Sequence, residues 1–65
     1  MYKNKIRKYR KEKGMRQKDL ADKSGISVGY LSHLEKGSRV NPSTEVMECI
    51  ANVLDKSIPE IFFEE

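Results

Sequence analysis

The sequence contains one cysteine, Cys49, and one histidine, His33. A lone cysteine excludes an intrachain disulfide, and the two residues make no Cys/His cluster for zinc. A secretory h-region and a long apolar run are both missing, which points to a soluble, cytoplasmic protein with no membrane partner. Alternating strand patterns, repeats and low-complexity segments are absent too. No paired carboxylates, nucleophile–base set, metal ligands or phosphate loop are visible, so an enzyme is set aside and no cofactor is expected. Sixty-five residues suffice for one domain, 1–65, and leave no room for a separate catalytic domain. A chain this short buries a small core, so helices with short loops or a dimer contact are the ways to stay folded.

What is present in excess is charge, unevenly placed. Residues 1–40 carry twelve Lys/Arg against four Asp/Glu, a net of +8. Residues 41–65 carry one Lys against six Asp/Glu, a net of −5, and the two halves give the overall +3. One end should attract polyanions and the other repel them. Charge alone does not separate DNA from RNA or an anionic membrane.

Gly14, Gly25 and Gly37 each follow a stretch of helical character. Glycine at such a stop accepts the positive φ that ends a helix. Three helices are thereby predicted at about 4–13, 17–24 and 27–36. The first carries Ile6, Tyr9 and Arg10 on one face; the second turns Leu20 and Ala21 inward. The third starts at an N-cap, Ser27, and buries Leu31 and Leu34. Asn41-Pro42-Ser43 opens a fourth helix, with Pro42 in its first turn and Met47, Ile50, Ala51 and Leu54 as its apolar stripe. Ser57-Ile58-Pro59-Glu60 reads as a capping box for a last short helix ending near Phe62. The expected architecture is all-α, five helices in a compact domain.

Residues 17–36 carry a helix-turn-helix pattern with a steric reason at each position. Ala21 is small where two steeply crossing helices approach. Gly25 makes the tight turn, Ile26 plugs the corner beneath it, and Leu31 and Leu34 hold the third helix down. Any one match would fit an ordinary helical hairpin; the full set at these spacings points further. Together with Ile6-Arg7-Lys8-Tyr9-Arg10, Gln17-Lys18-Asp19-Leu20-Ala21, Leu31 to Gly37, Asn41-Pro42-Ser43 and Ile58 to Phe62, the chain resembles the lambda-repressor-like (Cro/repressor, XRE-type) helix-turn-helix DNA-binding domains over almost its whole length.

That resemblance implies a transcriptional regulator, in first place a repressor, whose third helix enters the major groove of double-stranded DNA. By position, Ser27, Val28, Gly29, Tyr30, Ser32 and His33 are the base-reading candidates. Arg16, Gln17 and Lys18 at the start of the second helix, and Ser38, Arg39, Asn41 and Ser43 after the third, are the phosphate candidates. It also implies an interior ion pair between Arg10 and Glu35. Arg16 stands where relatives often carry a capping Ser or Thr. Asp55-Lys56 stands where they often have Gly-Val, which alters the connection between the last two helices. The third helix has no Gln or Arg reader; Val28 could touch a thymine methyl, and bare Gly29 could admit DNA closely or make room for Tyr30.

The fourth helix shows a second apolar set, Val46, Cys49 and Val53, followed by Ile61-Phe62-Phe63. Either it packs under the C-terminal segment or it is a dimer interface. The dimer is favoured because relatives dimerise through this end and the acidic half faces away from DNA. It would be weak and would read an inverted repeat. The alternative is an antitoxin or interaction module that binds a protein partner through this C-terminal apolar surface.

Overall fold

The computed structural model describes residues 4–37 and 42–63. Five helices follow one another there: α1 (Ile6–Glu12), α2 (Gln17–Ser24), α3 (Val28–Lys36), α4 (Thr44–Leu54) and α5 (Pro59–Phe63). The last is a turn of π-helix. No strand occurs among the described residues, and none of these helices is long and apolar enough to cross a membrane.

The predicted stops at Gly14, Gly25 and Gly37 all take positive φ. At Gly25, with φ 74°, the chain leaves α2 in a Schellman arrangement: Ile26 N–H donates to Ala21 O at 3.0 Å and Gly25 N–H to Asp22 O at 3.4 Å. This caps the carbonyls that the last turn leaves unpaired and tucks Ile26 against the core. The same device ends α4, but with Asp55 as the left-handed residue, φ 62°. Lys56 N–H donates to Ala51 O at 3.0 Å there. A short carboxylate tolerates this conformation better than most side chains. The departure at Asp55-Lys56 therefore keeps a left-handed turn between α4 and α5. Lys56 also lies over the Tyr9 ring, 4.8 Å from its centroid.

The starts of the helices are capped locally. Ser27 Oγ accepts from Tyr30 N–H at 3.0 Å and Ser43 Oγ from Val46 N–H at 3.2 Å. Pro42 thus precedes the cap of α4 rather than sitting in its first turn, and it is buried. Ser57 and Glu60 form the expected reciprocal box, with Glu60 Oε1 accepting from Ser57 N–H at 2.8 Å and Ser57 Oγ from Glu60 N–H at 3.3 Å. Helix α1 starts two residues later than the expected position 4, at Ile6. Asn4 Oδ1 accepts from Ile6 N–H at 3.1 Å, while its amide donates to Leu34 O at 2.7 Å. Asn4 is a bracket between α1 and the end of α3, not a helical residue. Next to it, Lys5 N–H donates to Ile61 O at 2.8 Å.

Ile6, Leu20, Leu31, Leu34, Ile50, Leu54 and Ile61 are the largest fully buried side chains. Every helix contributes at least one, and burying each is worth about 1.5–3 kcal/mol. No helix can be removed without opening the core. Two expectations for the C-terminal end need correction. Ile61 and Phe62 are buried, at 1% and 3% exposure, and belong to the core rather than to an outer surface. The wide turn of α5 directs both inward and leaves only Phe63 outside, at 61%. Val46 and Val53 are half-buried and pack against the core, so they form a shoulder of the main stripe of α4 and not a separate face. Cys49 is exposed.

Candidate nucleic-acid interface

Helices α2 and α3 meet across the Gly25 turn, and α3 lies with Leu31 and Leu34 inward. Its opposite side is open. Ser27, Gly29 and His33 are exposed, and Val28 is 40% exposed, high for a large apolar side chain. Ser32 is half-buried. Tyr30, also predicted to face outward, is half-buried and leans on the core. A Cβ built on Gly29 would meet nothing within 4 Å. Apart from its chain neighbours and its own helix backbone, Gly29 therefore has open space around it.

Beside this face opens a cleft of about 490 Å³ lined by Arg7, Arg10, Arg16, Gln17, Ser32, Glu35 and Lys36. Its floor is a hydrogen-bonded charge pair. Arg10 Nε donates to Glu35 Oε2 at 2.7 Å and its Nη2 to Glu35 Oε1 at 3.1 Å. The third guanidinium nitrogen donates to Met15 O at 2.8 Å. The two side chains are 9% and 4% exposed. Gln17 Nε2 donates to the same carboxylate, Glu35 Oε1, at 3.1 Å. One carboxylate on α3 thus holds α1 through Arg10 and the first residue of α2 through Gln17. Cleavage of one partner would strand the other charge away from water.

The rim is different. Arg16 precedes α2 and has no acceptor with which to cap it. The helix start is held instead by Asp19, whose Oδ2 accepts from Arg16 N–H at 3.0 Å. Asp19 also receives the exposed Arg16 guanidinium at 3.3 Å. The Arg16 backbone and side-chain hydrogen bonds hold the Asp19 carboxyl below its ordinary range. Lys18 is exposed, and Ser43 caps α4 with its hydroxyl at the surface. Ser38, Arg39 and Asn41 lie outside the described residues.

Two cations of the cleft, Arg7 and Lys36, were missed in reading the sequence. A signal for both existed. Arg7 lies three residues before Arg10, hence on the neighbouring part of one helix face. Lys36 directly follows Glu35 at the end of α3. Among the described residues no group of three or more His, Cys, Asp or Glu could hold a metal ion.

A helix-turn-helix family model matches residues 6–61, from the first residue of α1 to buried Ile61 in α5. The chain belongs to the helix-turn-helix family. It is 40% identical over 60 residues to the HTH-type transcriptional regulator SinR of Bacillus subtilis, which covers 92% of this chain and 54% of the relative. The chain therefore spans about half the length of the curated relatives it matches. Solved structures agree. The N-terminal DNA-binding domain of SinR from Bacillus subtilis superposes with a TM-score of 0.77 at 42% identity, covering 83% of this chain and 78% of that one. SinR in complex with DNA, described as the master regulator for biofilm formation, gives 0.78 at 42% identity, covering 83% and 86%. The five-helix, lambda-repressor-like fold expected from the resemblance is the fold found.

Proposed function

We propose that this chain is a sequence-specific double-stranded DNA-binding domain of a transcriptional regulator, acting by repression. Helix α3 enters the major groove, with Ser27, Val28, Gly29, Ser32 and His33 toward the bases. The cleft cations Arg7, Arg16 and Lys36, with Lys18, take phosphates on one side. Gln17 presents its backbone N–H there, at a helix start where that group has no intrahelical acceptor. Ser43, with Ser38, Arg39 and Asn41 by their place in the sequence, serves the other strand. The observation that carries this reading is the open face of α3 bordered by a cleft rich in arginine and lysine. The DNA complex of a 42%-identical relative supports it. Repression follows if a bound domain occludes a promoter.

The reading includes a weak homodimer through the α4–α5 end, on an inverted repeat whose half-sites lie about 34 Å apart. Exposed Phe63 on α5 and exposed Cys49 on α4, the latter flanked along its helix by half-buried Val46 and Val53, support it. Ile61 and Phe62 have no part in it.

Affinity for a duplex selected from a random pool should fall with salt at a log–log slope of about −4 to −5 per protomer. Arg7→Ala should weaken all duplexes alike, and His33→Ala should reorder the preferred sequences. Equal binding of a random single strand and the selected duplex would refute the proposal. Sedimentation that finds one protomer per selected site would remove the dimer.

A further inference from the structure

Gly29 occupies an unusual place on α3. At about 100° per residue it lies nearly opposite the midline between Leu31 and Leu34, at the centre of the outward face. Glycine there weakens the helix relative to alanine. No contact from elsewhere in the described fold requires it. Beyond its chain neighbours and its own helix backbone a Cβ would meet no atom within 4 Å, and its φ is not in the left-handed range, unlike those of Gly14 and Gly25. The vacancy is bordered by Val28 before it and by Ser32 and His33 one turn on.

Val28 gives this spot an apolar wall, since its side chain is 40% exposed at the surface. Ser27, the N-cap of the same helix, brings a hydroxyl to its start. Its Oγ already accepts from Tyr30 N–H at 3.0 Å, and that bond leaves the hydroxyl hydrogen free to point outward. An apolar wall, an absent side chain and a hydroxyl donor at the start of the same helix together suit one base edge in the major groove. Thymine shows a 5-methyl group beside its O4 acceptor; cytosine shows a donor and no methyl at that place.

We propose that α3 selects a thymine through its 5-methyl group, seated against Val28 in the space that Gly29 leaves open, with Ser27 donating to O4. The proposal rests on the DNA-binding reading above and deepens it to one base. Gly29 is then a specificity-determining residue whose contribution is the absence of a side chain.

Each thymine of the selected duplex is replaced singly by deoxyuridine, which removes only the methyl group. One position per half-site should lose about three- to fivefold in affinity, the worth of one buried methyl. In Gly29→Ala the same replacement should have no effect, and affinity for the thymine duplex should already be reduced. Thermal denaturation of free Gly29→Ala should show a midpoint equal to or above the parent's, so that weaker binding is not unfolding. A preferred duplex that is insensitive to every deoxyuridine, or a Gly29→Ala variant with full methyl sensitivity, would overturn this inference alone. Failure to prefer any duplex would overturn the DNA-binding reading and this one with it.

Discussion

Two regions of the molecule hold an arginine and a carboxylate together, and they differ in what surrounds them. Between α1 and α3, Arg10 meets Glu35 at 2.7 Å with side chains 9% and 4% exposed. At the start of α2, Arg16 meets Asp19 at 3.3 Å with side chains 81% and 37% exposed. In the first region the guanidinium also donates to Met15 O and the carboxylate also accepts from Gln17, so protein groups supply most of the partners of both ions. In the second, water competes for both partners. The interior pair is part of the frame, whereas Arg16 can exchange its carboxylate for a phosphate at small loss. Burial, not residue type, assigns the two arginines their separate tasks.

Removing the interior partner should have the largest effect. Arg10→Met leaves Glu35 charged and enclosed, and it should destabilise the fold by about 3–5 kcal/mol. Denaturant unfolding of Arg10→Met, Glu35→Gln and the double variant measures the coupling. Strictly additive losses would mean that the two side chains do not act as a pair.

The exposed pair should behave in the opposite way. Arg16→Ala should barely move the unfolding midpoint, because surface ion pairs contribute little. It should instead weaken duplex binding and reduce the salt slope by about one. A fall in stability comparable to that of Arg10→Met would erase the distinction.

Acid should produce the smallest effect. The Arg16 hydrogen bonds lower the Asp19 pKa, and the Ser57 backbone and side-chain hydrogen bonds lower that of Glu60. A carboxylate with a depressed folded pKa stabilises above its unfolded value and loses that contribution as pH falls through the folded one. Stability should therefore hold from neutrality down to about pH 5 and decline below about 4, the ordinary carboxylate range. Asp19→Asn and Glu60→Gln together should flatten the acid limb of a pH–stability curve. An unchanged limb would show that these caps contribute nothing to it.

Much of this arrangement was legible in the sequence because it depends on local chemistry. Gly14, Gly25 and Gly37 mark turns that almost no other residue makes cheaply. Ser27, Ser57 and Glu60 announce caps whose partners lie three residues away. The apolar spacing of α4 identifies Ile50, Ala51 and Leu54 as core. Other features depend on partners far along the chain and leave no local mark. Asn4 reads as an ordinary polar residue until its amide is seen on Leu34 O. Gln17 reads as a free phosphate ligand until its side chain is seen on Glu35. Ile61 and Phe62 look like a surface patch because the sequence does not disclose that α5 widens into a π-turn. Val46 and Val53 look like a second face because a helical wheel does not reveal how far the core reaches around α4.

The hydrogen bond from Lys5 N–H to Ile61 O closes the chain on itself. It joins the backbone just before α1 to the backbone of α5, so the five helices form a ring and not an open string. The amide hydrogen of Lys5 therefore acts as a gauge of the far end: its exchange with solvent deuterium reports each release of α5. Asn4 next to it makes a separate tie, to the last turn of α3.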